Sequence, residues 1–479
     1  MNSGDRNEFT LRHLDEPEIE FDGGSETSPK RGLLKYGPRL YESDHHTIKL
    51  GVIGDRDSIR HLSELLHDMN TGIHPGSRDN PWQVPFPGLG ESSKINLSIN
   101  DKKGWRRKIR RRDIKTVTGE STPKKRIETF LELIQTDIDI IEQDSVRPSV
   151  IVVCIPQRVI DACTPDRQDY AKIQYGGQNQ EEGSDLRSRI KLMGMNARIP
   201  TQLIKPETLD MRTDRQRASR AWNLTVGLLY KSQRGHPWKT QQIEEGTCYA
   251  GISFYKQRTT DGNIARAALA HVFHGRDHII LQSDPLPDIT EDENGSPHLS
   301  YEAAKSVGEQ ILDYYERQLG TRPSRFVLHK PSLYWDEERN GILDATDGVR
   351  DLDLVWIRRN PQIRVFPPTD YPTLRGTLFS SSNEDTHYLY TTGYIPEETT
   401  YQGSGVPAPI EIRPDRICET QSLKLCKEIL LFTKLDWNTS EFSVRMPATI
   451  RVASRVGDVL SEVDTESVVD VQPQYFYYM

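Results

Sequence analysis

The densest charge in the chain lies between Lys102 and Arg126, where twelve lysines and arginines surround a single tryptophan, Trp105. That combination suits a nucleic acid, with cations neutralising phosphates and the indole stacking on a base. A solvated helix or loop face has the same composition, so the run alone selects neither. Acids gather at Asp284, Asp288, Glu291, Asp292 and Glu293, in a loop-like stretch that reads as a solvated acidic patch rather than a catalytic centre. The five cysteines, Cys154, Cys163, Cys248, Cys418 and Cys426, include no C-x-x-C pair, so neither a zinc site nor a disulfide framework is indicated. The remaining place of interest is Cys248–Tyr255, an almost unbroken apolar and aromatic stretch whose only aliphatic hydroxyl is Ser253. A hydroxyl there does not replace a carboxylate in seating divalent ions.

These residues need a scaffold, and the chain has length for one. Its 479 residues have room for two or three compact domains, and 28% charged against 35% hydrophobic residues suits a folded protein with long polar loops. The net charge of −8 leaves open a basic channel within an acidic exterior. No run of about 18 apolar residues is present and the first residues lack a signal-peptide core; a cytoplasmic protein with no membrane partner is expected. The polar residues 1–35 are expected to form a mobile arm. Thr47–Gly54 reads as a strand followed by a helix capped by Asp57 or Ser58, and 149–156 as the centre of a parallel sheet. Helices are expected from Arg126 to Glu142, Asp185 to Asn196 and Arg215 to Gln233, with a strand at Ile199–Ile204 between the last two. Further strands are expected at Cys248–Tyr255, His278–Leu281, Arg325–Lys330, Leu352–Ile357, Ile363–Phe366 and Tyr388–Tyr394, and helices at Tyr301–Leu319 and Pro447–Leu460. Strand and helix alternating in this way make an open α/β unit, whose ligands usually bind at the carboxyl ends of the strands.

Several short stretches then take on meaning by their order and spacing: Ile199-Pro-Thr-Gln-Leu-Ile204, Arg220-Ala-Trp-Asn223 with Gly227-Leu-Leu-Tyr-Lys231, Tyr249-Ala-Gly-Ile-Ser-Phe254, and Val327-Leu-His-Lys330. Leu389-Tyr-Thr-Thr-Gly-Tyr394, Val406-Pro-Ala-Pro-Ile-Glu411, Thr433-Lys-Leu-Asp-Trp-Asn438 and Arg445-Met-Pro-Ala-Thr-Ile450 continue the series. Together, from Thr47 to the C-terminus, the chain resembles the short prokaryotic Argonautes. The resemblance implies an α/β protein with a Rossmann-like MID domain within 36–245 and an RNase H-like PIWI domain over 246–479.

The MID domains of that family anchor the 5′-phosphate of a guide strand. The resemblance places this site at Arg187, Lys191, Gln202 and Lys231, with Asn223 in the same motif. Arg187 and Lys191 are four residues apart and share a helix face, so both can reach one phosphate. Arginine stands where an aromatic residue is commoner, which exchanges base stacking for charge. The resemblance also implies a magnesium ion beside the phosphate, held by the C-terminal carboxylate of Met479 together with Gln202. In the PIWI half it puts the catalytic acid positions at Ser253, Lys330 and Ser454, none of which is an acid. A slicer centre is therefore not expected, and the catalytic chemistry would belong to another chain. Lys434, Arg445, Arg451 and Arg455 are candidates for lining a guide–target groove, against the alternative of ordinary surface pairing.

The family implies the rest: a small guide RNA, single-stranded target DNA of plasmids or phages, and a separately encoded APAZ-domain effector forming at least a heterodimer. The effector would be an NAD(P)-hydrolysing sirtuin-like or TIR domain, or a nuclease, acting in abortive defence. Two rivals remain: a stand-alone guide-directed nuclease with an unrecognised acid set, and a nucleic-acid-binding structural protein without guide preference.

Overall fold

The computed structural model describes residues 9–41, 44–74, 83–90, 92–163, 186–209, 216–240, 243–259, 262–272, 279–282, 290–291, 296–359, 361–381, 385–401, 405–463 and 471–479. The described part of the N-terminal stretch is not a mobile arm. It opens with strand β1 (Phe9–His13), which pairs antiparallel with Thr377–Ser381 far along the chain. Leu14, Ile19 and Phe21 are buried, and helix α1 (Pro29–Tyr36) buries Leu33. Polar composition hid this, because the anchoring partners lie more than 350 residues away: Glu16 accepts from Arg375 at 2.8 Å and pairs with Lys434 at 2.5 Å.

A five-stranded parallel sheet follows, made of β2 (His46–Gly54), β3 (Leu97–Asn100), β4 (Arg106–Lys108), β5 (Val150–Cys154) and β6 (Thr201–Ile204), in the order β3-β2-β5-β6 with β4 also on β2. Every residue of β5 is buried, as its unbroken apolar run requires. Helix α2 (Arg56–Thr71) starts at Asp55, whose carboxylate accepts from the Ser58 amide at 2.8 Å, two residues before the expected helix start. Between β4 and β5 run α3 (Arg111–Gly119) and α4 (Pro123–Glu142), the second capped by Thr122. The apolar side of α4, with Phe130, Ile134 and Ile138, covers one face of the sheet. After α5 (Gln157–Cys163), helices α6 (Leu186–Asn196) and α7 (Arg217–Gln233) flank β6.

The second sheet has nine strands. Its third strand from one edge is β7 (Thr247–Thr259), joined antiparallel to β8 (Gly262–Val272), which pairs with the edge strand β9 (Ile279–Gln282). On the other side β7 is parallel to β10 (Arg325–Lys330), and β10 to β11 (Asp351–Arg359). The sheet continues antiparallel through β14 (Ile410–Pro414), β13 (Thr386–Leu389) and β12 (Thr377–Ser381), and ends on β1. Helices α8 (Tyr301–Leu319) and α9 (Asp336–Ala345) cover one face; α10 (Ser422–Phe432) and α11 (Ala448–Leu460) cover the other. Helix α11 lies directly on β7 at Gly251, where an added Cβ would stand 2.4 Å from the Thr449 backbone. Ile363–Phe366, expected as a strand, is not one, and the strand expected to reach Tyr394 ends at Leu389. No helix among the described residues is long and apolar enough to cross a membrane.

Candidate nucleic-acid interface

The two sheets meet along α6, α7, α11 and the C-terminal tail. Arg187 and Lys191 stand one turn apart on α6, Lys231 stands near the end of α7, and Gln202 is on β6 between them. Both lysines are buried. Lys191 donates to the Thr201 carbonyl, and the Lys231 ammonium donates to Gln202 Oε1. Burial, then Lys231, then Arg187 push the Lys191 ammonium well below its ordinary range. Burial, then Arg187 and Arg455, bring Lys231 down to about 7. The charges acting most strongly on both lysines are thus cations, an arrangement that a bound dianion would relieve.

The tail closes this corner. Tyr475, Phe476, Tyr477, Tyr478 and Met479 are all buried, Arg187 donates to the Tyr478 carbonyl at 3.2 Å, and Arg455 donates to the Tyr475 hydroxyl at 3.0 Å. Phe476 meets Tyr230 of α7 edge to face.

Of the two donors expected to hold a magnesium ion here, Met479 is buried at the end of the tail and Gln202 already bonds Lys231. Gln202 Oε1, the Thr201 carbonyl and the Tyr478 carbonyl each accept from a cationic side chain, and a divalent ion would have to displace those bonds amid four positive groups. Among the described residues there is no cluster of three or more His, Cys, Asp or Glu side chains able to hold a metal.

Asn223 has a different task from phosphate binding. Its Oδ1 accepts from the Ser440 amide and hydroxyl, both at 2.8 Å, and from the Thr439 hydroxyl at 3.2 Å, so it fastens a loop of the second half onto α7. The four groove candidates also separate. Lys434 is fully buried, donates to the carbonyls of Thr27 and Phe442 and pairs with Glu16; it lines no groove. Arg451 pairs with Asp436 at 2.5 Å and donates to the Leu435 carbonyl, while Arg455 approaches the same carboxylate at 3.7 Å. Those two belong to the seam between the sheets and to the corner closed by the tail. Arg445 alone faces a cationic surface. It donates to the carbonyls of Ala408 and Pro409, its Nε is buried without a hydrogen-bond partner, and burial, then Arg359 and Arg364, lower its pKa. Sequence reading had passed over Arg359 and Arg364; the Arg-Arg pair ending β11 was the available signal.

The degenerate acid positions are held apart. Ser253 shares the α11 side of β7 with Gly251 and Tyr255, which contact Thr449 and Gly457. Lys330 points to the other side of the sheet: its neighbour His329 pairs with Gly251 in register and bonds Thr449, so Lys330 falls on the α8–α9 face. There its ammonium is buried against Glu338 at 2.5 Å, and burial lowers it to about 8. Glu338 also accepts from the Leu299 and Trp335 amides. Lys330 and Ser253, both placed at catalytic acid positions by the resemblance, therefore lie on opposite faces of the sheet. Ser454 is exposed on α11.

The basic run is not a stacking platform. Trp105 is buried and donates to the Val146 carbonyl at 2.8 Å, and Arg106 and Arg107 pair with Asp101 and Asp137. Lys102, Lys103, Lys108, Arg110, Arg111, Arg112, Lys115, Lys124 and Lys125 are exposed. Of the acidic loop, Glu291 is exposed and Asp284, Asp288, Asp292 and Glu293 lie outside the described residues.

No protein-family model matches the chain, nor does any curated protein sequence. Solved structures do. Clostridium butyricum Argonaute, bound to a guide DNA and a 19-mer target DNA, is similar with a TM-score of 0.64 at 14% identity over 95% of this chain and 53% of that one. Drosophila Piwi (TM-score 0.60, 15% identity, 98% and 56%) and Aquifex aeolicus Argonaute (0.59, 15%, 97% and 57%) are similar too. The chain spans about half the length of these structures. Its two sheets, with parallel strands at the centre of each, therefore have the mixed α/β fold found in the MID and PIWI domains of Argonaute proteins.

Proposed function

We propose that the chain is a guide-binding Argonaute subunit that senses a target without cutting it. The observation that carries this reading is the burial of Lys191 and Lys231 beside Arg187, under a buried C-terminal tail. Burying like charges together costs several kcal/mol per ion unless an anion joins them, and a terminal phosphate brings close to two negative charges with oxygens that accept from all three side chains. The guide's first phosphate binds there, Gln202 positions it, and the backbone leads toward the cationic surface at Arg359, Arg364 and Arg445. The partners in this reading are a small guide RNA and single-stranded target DNA.

The absence of slicing in this reading rests on Ser253, Ser454 and the Lys330–Glu338 ion pair, since two-metal hydrolysis needs carboxylates converging on both ions. Pairing of guide with target then acts through contacts: it shifts the conformation of the subunit and releases an APAZ-type effector partner, NAD(P)-consuming in the preferred form, in anti-plasmid or anti-phage defence. The test is binding of 5′-phosphorylated against 5′-hydroxyl guide RNA. The phosphate is expected to tighten binding at least tenfold, and Lys231→Ala or Lys191→Glu to remove that preference. Equal affinities for the two guides would overturn the reading. In a reconstituted complex, Lys191→Glu is also expected to abolish target-triggered NAD loss.

A further inference from the structure

The two faces of the second sheet are treated unequally at its β1 end. On one, Leu378, Leu389, Ile410 and Ile412 pack beneath Leu425 and Ile429 of α10. The residues pointing the other way stand in register across five strands: Leu11 opposite Phe379, Phe379 opposite Tyr388, Tyr388 opposite Glu411, and Glu411 opposite Arg358. At about 4.8 Å per strand this row is roughly 19 Å long. Its apolar end is open to solvent. Leu11 is 63% exposed and Phe9 47%, and Phe9 stacks on Phe379 with centroids 4.7 Å apart. At the other end the buried Glu411 carboxylate pairs with Arg358 at 2.5 Å and Arg413 at 2.7 Å, and both guanidiniums lie over Trp356. Two cations thus share one carboxylate, leaving a surplus positive charge.

We propose that this row is the seat of the second polypeptide: a segment that lays apolar side chains over Leu11, Phe379 and Tyr388 and offers a carboxylate to Arg358 and Arg413. The proposal rests on the reading of the chain as a subunit. Aromatic and aliphatic side chains continuous with half-exposed arginine are the composition of interface centres rather than of free surface. A second copy is the poorer occupant, because a two-fold contact would run the row against itself and set the surplus cation on Leu11 and Phe9. A surplus cation beside an open apolar strip is matched by a segment that carries a carboxylate next to apolar side chains.

The test uses the full chain with the protein encoded in the adjoining reading frame. Phe9→Ser with Leu11→Glu changes only exposed edge positions and is expected to weaken that complex at least tenfold; Arg358→Ala, which leaves Arg413 on Glu411, is expected to weaken it severalfold. Guide affinity should be unchanged in both, which shows that they are folded. In the wild-type complex, amide exchange should slow at 9–13 and 377–389. Variants that bind the partner like wild type, without that protection, would overturn the proposed surface while leaving the subunit reading intact. A wild-type chain that forms no complex would sink the subunit reading and the surface with it. Self-association abolished by Phe9→Ser with Leu11→Glu would assign the row to a second copy and overturn the proposal.

Discussion

Lys231 sets a measurable pH dependence. Its folded pKa of about 7 lies below the ordinary lysine value, because burial and neighbouring cations favour the neutral amine. A bound phosphate favours the ammonium and raises that pKa, so binding takes up a proton wherever the free protein holds Lys231 neutral, and affinity falls as pH rises above about 7. The phosphate is already a dianion over that range. Binding of 5′-phosphorylated guide is accordingly expected to weaken by up to about fiftyfold between pH 7 and pH 9 for one coupled proton, while a 5′-hydroxyl guide shows no such slope. Equal slopes would remove Lys231 from contact with the phosphate. At this scale the sequence was legible where types and spacing suffice, as with Arg187 and Lys191 on one helix face. It was misleading where burial decides, since nothing local separates the buried Lys434 from the half-exposed Arg445.

Among elements, the N-terminal segment has the clearest consequence. Glu16 sits between Arg375 and Lys434, both buried, and despite its burial those two cations keep its carboxyl low. Glu16→Ala leaves two interior cations without their carboxylate and is expected to cost about 3–5 kcal/mol of stability by denaturant titration; a change below about 1 kcal/mol would mean that the segment does not hold the sheet. Strands β5 and β10 were legible because central parallel strands are apolar on both faces and read as unbroken runs. β12 and β14 were not, since each is short and has polar residues interrupting its apolar ones. Lys330 shows how sharp the limit is: one residue of register moves a side chain through the sheet.

The whole molecule joins two sheets through a seam of charge and aromatic packing, and its activity assay follows from what surrounds Ser253. With loaded guide, matched target and manganese, the purified chain is expected to leave the target intact over hours. Cleavage that stops on chelation would establish a metal centre that Ser253, Ser454 and the Lys330–Glu338 pair do not provide, and would favour the stand-alone nuclease. Fold class could be read from the alternation of strands and helices. The closure of the corner beside Lys191 and Lys231 by Tyr475–Met479 could only be anticipated from the aromatic character of the tail, because its partners on α6 and α11 come from both halves of the chain.

That β1 belongs to the second sheet rather than the first bears on how the protein is made. Phe9–His13 leaves the ribosome long before its neighbour in the sheet, Thr377–Ser381. The nine-stranded sheet therefore cannot take on this edge until Thr377–Ser381 has been made, and a fragment started at residue 246 would lack both that edge and the acid that neutralises Arg375 and Lys434. Cutting between the sheets does not yield two independent proteins.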